Sequence, residues 1–445
     1  MSWLRNDDYR LYRFRASHVL DTPAFARWAL HIWELTDEAP GGKWYWEMGT
    51  AGLTTPARLR IILAPPAQPR QGTVSEITEF YRLLGIPSDF TTEYTQAVSH
   101  SFSHRTEGDG SWCAWFHFLC KNVSVQREEG QPPEVARRTP SFGRPLSTLP
   151  NADYGWFRSS FFLRRDGDSV TLVCFGAMTG VRGRVGHFID SKAWDDVLVN
   201  PYILFDIVLE GLYFDVDQMV WNMNIVFGPI EHKMLESAHN KDFKKLNSEL
   251  SFAAVHNCAK HIIFLGEVLE SCTMLIDGAI NNTPKASRSE TQSPSLVQEQ
   301  LIETLRYRRT LFRSTQLRLS SLQKRIDNVI ALAFNLVTQQ GSTAMMQDSR
   351  VMKAIAAITI VFLPTTGVAT VLGSQLFVSE WKGDGAGWDV KTTPLFWITW
   401  WVSVPLTICV IILAAVWQWW MSGEKKRFVW RKRDGGSETT EKKVS

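Results

Sequence analysis

A row of hydroxyls in an otherwise apolar stretch is where this sequence first offers chemistry. Thr359, Leu363, Thr366, Thr370 and Gly373 recur at steps of four and three, and the row continues back through Met352. On a helix, such positions share one face. They lie in residues 354–378, a run of 25 residues without a charge. Three threonines on one side of so apolar a segment have two physical explanations: close helix packing, or the wall of a water-filled path. A single helix cannot enclose water, so the second explanation calls for several copies of the chain around an axis. A second candidate set is acidic. Asp206, Glu210, Asp215 and Asp217 fall within one helical stretch, where carboxylates either hold a regulatory divalent cation or form the solvated face of a helix.

Other chemistries find no foothold. The sequence contains no P-loop, GxSxG, kinase or dinucleotide-binding fingerprint. His232, His239, His256 and His261 lack the HExxH pattern or a paired carboxylate at ligand spacing. The six cysteines, at 113, 120, 174, 258, 272 and 409, include no CxxC pair and read as reduced and buried. With no catalytic constellation, the chain is expected not to be an enzyme. No cofactor is expected beyond a bound magnesium or other divalent cation. A formal net charge of +3 supplies no basic field for nucleic acid, so none is expected as a partner. The start, MSWLRNDDYRLYRFR, lacks the apolar core of a secretory signal.

The elements that would position these residues are legible from hydropathy. Residues 354–378 and 395–421 are each long enough to cross about 30 Å of hydrocarbon at 1.5 Å per residue. Arg350 and Lys353 precede the first span, while Lys425, Lys426, Arg427, Arg431, Lys432 and Arg433 follow the second. The loop between them, 379–394, carries Glu380, Asp384 and Asp389 against Lys382 and Lys391. Basic flanks mark the cytoplasmic side, which places both termini and the basic tail 422–445 inside. Trp381, Trp388, Trp397, Trp400 and Trp401 would form the outer aromatic belt, and Trp417, Trp419 and Trp420 the inner one. The expectation is an integral, multi-pass protein among membrane lipid, most simply in the plasma membrane. The sequons at Asn122 and Asn281 would then lie in the cytosol.

Ahead of the spans, residues 1–196 read as a cytosolic α/β domain. Its strand-like runs are RLRIILA, SFFLRR and SVTLVCFGA, SEITEFYRLLGI is helical, and 121–150 is a proline-rich polar loop. Residues 197–280 follow as two long stalk helices. The first carries the stripe Tyr202, Phe205, Leu209, Leu212, Val216, Met219, Met223 and Val226; Asn200-Pro201 marks its start. The second, roughly 243–277, carries Val255, Cys258, Ile262, Leu265, Leu269, Cys272 and Ile276. A polar linker, 281–295, is expected to be disordered. The third stalk helix, 296–353, has the seam Leu301, Leu305, Phe312, Leu319, Leu322, Ile326, Val329, Ala333 and Leu336, interrupted at Arg308 and Thr315. Were it continuous from Leu301 to Phe377, it would extend about 110 Å. The fold class expected is thus an α+β membrane protein: an N-terminal α/β domain, a coiled-coil-like stalk and two C-terminal transmembrane helices.

The segment IVFLPTTGVATVLGSQLF, followed by a short loop and one more span, resembles the membrane part of the CorA-type magnesium and divalent-cation transporters, in particular their divergent branch in filamentous fungi. NPYILFDIVLEGLYFDVDQMVW is similar to that branch's first stalk helix. The resemblance covers residues from about 200 to 421. It implies a homo-oligomer, in the family a pentamer, with the long stalk helix lining the pore. It also implies a Phe-(apolar)-Pro-x-Thr element at Phe362, Leu363, Pro364 and Thr366. Apolar gating rings would fall at Met352, Ile355 and Leu363, and a polar ring at Thr366. Three of these, Met352, Leu363 and Thr366, already belong to the stripe found from periodicity. The family's GMN filter is replaced by Gly373-Ser374-Gln375. Gln375 keeps the amide oxygen on a stem one methylene longer, and Ser374 lacks methionine's apolar anchor. The resemblance therefore implies a divalent-cation channel, or alternatively a non-conducting scaffold or cation sensor that keeps the architecture.

Overall fold

The computed structural model describes residues 9–17, 28–66, 73–92, 100–137, 149–240, 251–283, 296–372, 377–381 and 387–434. It divides into two compact units, Met1–Leu336 and Val337–Ser445. The expected polar linker falls almost wholly, from 284 to 295, outside the described residues, as does the tripeptide Gly373, Ser374 and Gln375.

The first unit is built on a seven-stranded mixed sheet. Its strands are β1 (Leu30–Leu35), β2 (Lys43–Met48), β3 (Leu59–Ala64), β4 (Ser101–Thr106), β5 (Trp112–Asn122), β8 (Gly155–Asp166) and β9 (Ser169–Phe175); between β5 and β8 lies a small ribbon, β6 (Val125–Gln126) with β7 (Glu134–Val135). The order is β2-β1-β3-β9-β8-β5-β4, with β3 and β9 the one parallel pair. Alternate residues of β5 serve opposite faces. Ala114, Phe116, Phe118 and Cys120 pack into one core, while Cys113 and Trp115 pack into another with Ile77, Phe80 and Tyr81 of α2 (Val74–Leu83). A sheet buried on both faces loses the polar–apolar alternation that marks a strand in sequence. Three strand runs were visible beforehand; β1 and β5, almost wholly buried, and the edge strands β2 and β4, neither of which alternates between buried and exposed residues, were not. The proline-rich segment 121–150 likewise begins inside β5 and contains the β6–β7 ribbon.

Helices cover both faces. Together with α1 (Arg10–Ser17), α2 lies on one; α3 (Thr179–Ser191), α4 (Trp194–Val199), α5 (Ile203–Asn240) and α6 (Phe252–Asn282) follow the sheet in sequence. The turn at Asn200-Pro201 separates α4 from α5, with Asn200 Oδ1 accepting from the Tyr202 amide at 3.2 Å. All eight residues of the first predicted stripe are buried, and so are all seven of the second. The next helix, α7 (Leu296–Leu372), carries the third seam. Its nine apolar positions are buried, and so are the two supposed interruptions, Arg308 and Thr315. The seam is therefore an unbroken alternation of four- and three-residue steps with two polar members.

In the second unit, two stretches are long and apolar enough to cross a membrane, Asp348–Thr370 on α7 and Pro394–Val416 on α8 (Pro394–Asp434). Helix α7 ends at Leu372, so Phe377 and Val378 are not part of the helix as the charge-free run implied. They belong to β10 (Phe377–Trp381), which pairs antiparallel with β11 (Trp388–Thr392). Aromatic and β-branched residues suit a ribbon as well as a span, and charge alone cannot separate the two. The start of the basic tail is helical, through Asp434.

Candidate functional site

The four carboxylates are deployed along α5 as partners for basic and backbone groups. Asp206 receives both branches of Arg308, with Nε to Oδ1 and Nη2 to Oδ2 each at 3.3 Å. Arg308 Nη1 also lies 3.4 Å from Glu210 Oε1, and Glu210 Oε2 takes Arg184 of α3 at 2.5 Å. Two turns further, Asp217 accepts from Thr315 Oγ1 at 2.7 Å and from Arg318. Further along, Arg325 meets Glu231 at 3.1 Å and Asn224 at 3.0 Å. Among the described residues, no group of three or more His, Cys, Asp or Glu is placed to hold a metal ion. These carboxylates thus do not converge on a common cation.

Burial raises the Asp206 carboxyl above its ordinary range, and the Arg308 charge and hydrogen bonds oppose that rise. The two polar members of the α7 seam are therefore matched one to one by carboxylates of α5. A polar pair in an apolar seam fixes register, because sliding either helix by a turn would strand a buried charge. The signal for this was present in the sequence: Arg308 and Thr315 occupy seam positions, where a buried polar residue needs a partner.

Asp215 has a different role. Its carboxylate accepts from the Gly180 amide at 3.1 and 3.0 Å, and so satisfies the free N-terminal donors of α3. Burial raises its carboxyl, and the Gly180 and Val181 amides pull against it. This contact needs two bare backbones. A Cβ on Gly211 would sit 2.4 Å from Val181 Cα, and one on Gly180 would sit 2.4 Å from the Gly211 carbonyl oxygen. Gly211→Ala should push α3 away from α5 and release Asp215, lowering stability by at least about 1–3 kcal/mol. Chemical denaturation followed by circular dichroism checks it; a wild-type midpoint would show that the crossing is loose.

The threonine stripe lies in the second unit. Met352, Ile355 and Leu363 are exposed there, as are Thr359, Thr366 and Thr370. Each of the three threonine hydroxyls donates to the carbonyl one turn back: Thr359 to Ile355 at 2.8 Å, Thr366 to Phe362, and Thr370 to Thr366 at 2.7 Å. A hydroxyl whose proton is committed to its own helix offers only lone pairs outward. The stripe is accordingly a row of acceptors, suited to the protons of water around a cation. Pro364 lies within this helix and contributes no amide donor.

No protein-family model matches the chain. A curated relative, the notoamide biosynthesis cluster protein M' of Aspergillus versicolor, is 28% identical over 165 residues; the match takes in 35% of this chain and 35% of that relative, so it spans about a third of the relative's length. Two solved structures align over most of the chain. The complete CorA magnesium transporter of Methanocaldococcus jannaschii is 10% identical, with 89% of this chain and 98% of that one covered and a TM-score of 0.39. Full-length CmaX is 13% identical, with 91% and 99% covered and a TM-score of 0.46. The solved chains to which this protein is similar thus include a CorA magnesium transporter and CmaX.

Proposed function

We propose that copies of this chain assemble around an axis into a membrane channel of the CorA type that passes divalent metal cations. The observation that carries the reading is the acceptor row at Thr359, Thr366 and Thr370, broken by the apolar Leu363. A hydrated magnesium ion gives up its water reluctantly, so a path that accepts hydrogen bonds from that water suits it better than one that strips it. Met352, Ile355 and Leu363 then form the apolar constrictions. Below a membrane potential of 100 mV, entry of each unit of charge is favoured by about 2.3 kcal/mol, so a divalent cation needs no ATP to enter. The assembly is a homo-oligomer, a pentamer in our reading, set among membrane lipid with both termini cytoplasmic in the plasma membrane.

Purified protein in liposomes should carry magnesium inward under an imposed potential, and Thr366→Val should reduce that flux severalfold. Oligomeric protein with no flux above empty liposomes would sink the reading. A second reading, a non-conducting scaffold or cation sensor, is favoured by the replacement of GMN with Gly373-Ser374-Gln375, and the same experiment decides between the two. Orientation is tested separately. An epitope after Ser445 should require permeabilised cells for antibody binding, whereas one inserted at Gly385 should not. The reverse pattern would overturn the topology.

A further inference from the structure

Where β5 ends, its last lysine points into a box of rings. Lys121 has no solvent exposure, and its Nζ lies 3.5 Å from the Phe264 ring centroid, 4.0 Å from that of Tyr154 and 5.6 Å from that of Trp156. Those rings meet edge to face, Tyr154 with Trp156 and Trp156 with Phe264. The faces of the box hold the ammonium as a cation, and among the described residues it has no hydrogen-bond acceptor. His261, one turn before Phe264 on α6, is 1% exposed and stands edge to face with the same Tyr154 ring. Its Nε2 donates to the Asn151 carbonyl at 2.8 Å, so in the neutral ring Nδ1 is the acceptor, and among the described residues Nδ1 finds no donor. Lys260 on α6 acts on both groups and Lys121 acts on His261, all of them basic.

We propose that this corner is an acid-released latch: protonation of His261, a buried imidazole set beside the boxed Lys121 ammonium with no carboxylate facing it among the described residues, loosens α6 from the end of the sheet. Tyr154 and Trp156 from the start of β8, Phe264, Lys260 and His261 from α6, and Lys121 from β5 are the groups that face one another there. Burial lowers Lys121 from 10.5 to about 8 and His261 from 6.5 to about 4, with Lys260 adding to both shifts. Both shifts have the same sign. A base whose value is depressed when packed binds its proton more tightly when released. For His261, packing therefore weakens as pH falls between about 6.5 and 4, while Lys121, at about 8, already carries its charge at neutral pH.

Hydrogen exchange on the full chain in detergent, corrected for the intrinsic pH dependence of exchange, reads this out. The opening equilibrium of α6 peptides covering residues 255–265 should rise about tenfold from pH 7 to pH 5.5. Helix α3 serves as the internal reference. His261→Gln, which keeps a donor for the Asn151 carbonyl, should abolish that step. Exchange of these peptides that is flat between pH 7 and pH 5.5 in the wild type overturns the latch whether or not the variant folds. A step that survives His261→Gln assigns the effect to other groups and overturns it equally.

Discussion

Replacing Arg308 with alanine should destabilise the soluble unit by about 3–5 kcal/mol, because it removes one member of a buried ion network and strands the others. Arg308 is 8% exposed in its side chain, Asp206 12% and Glu210 19%, so water cannot replace the lost guanidinium. The effect has a pH signature. Burial already holds the Asp206 carboxyl above its ordinary value, and Arg308 is the main group opposing that rise. Without it the carboxyl rises further. A carboxyl raised on folding favours the native state below its unfolded value, and that contribution is lost as pH climbs through the folded value. The deficit of Arg308→Ala relative to wild type should therefore shrink on moving down into the carboxylate range. The double variant Asp206→Leu, Arg308→Met should recover much of the loss, since well-packed apolar groups often replace a buried pair at little penalty. Denaturant titration followed by circular dichroism checks both. A single variant as stable as wild type, or a deficit that grows in acid, would show that the pair is solvated.

The same network shows how far the sequence could be read. The three seams of four- and three-residue steps were legible because burial of a helix face imposes a period that no other arrangement produces. Every apolar position assigned to them is buried. The partners were not legible, because a heptad pattern says which residues face inward but not which inward residues meet. Asp206, Glu210 and Asp217 consequently read as either a cation site or a solvated helix face, and Arg308 and Thr315 as interruptions, whereas the fold pairs them with one another. Lys121 was hidden for another reason. It sits at the start of a polar, proline-rich segment where a lysine reads as solvated, and the rings that enclose it come from residues 33 to 143 positions away. The spans stood out since hydropathy over some 20 residues needs no knowledge of partners. The β10–β11 ribbon between them did not, being made of the residues that also suit an apolar helix end.

Giving this chain the GMN tripeptide of the CorA-type proteins it resembles should produce the largest functional change available in it. The double substitution Ser374→Met, Gln375→Asn rests on the channel reading and on the resemblance of residues 354–378 to the CorA-type membrane segment. A glutamine amide on its longer stem narrows a ring of symmetry-related copies or folds aside. Asparagine sets the amide back from the axis, leaving room for a cation that keeps its water and gives hydrogen bonds through it. Magnesium uptake into a magnesium-starved cell expressing the variant should rise severalfold over the wild type at equal protein level. On the channel reading, the acceptor row further in, whose hydroxyl protons are committed to the helix at Thr359, Thr366 and Thr370, supplies the next station for the same hydration shell. Leu363 lies between those stations. Adding Leu363→Arg to the restored variant should abolish the gain, because a ring of guanidinium groups fills the narrow apolar section and repels a divalent cation. The pair of results isolates the path: the first locates the obstruction at the mouth, and the second shows that the ions entering there pass the threonine face. Well-expressed, oligomeric protein with the restored tripeptide that carries no more magnesium than cells without it would exclude conduction and leave the scaffold or sensor reading.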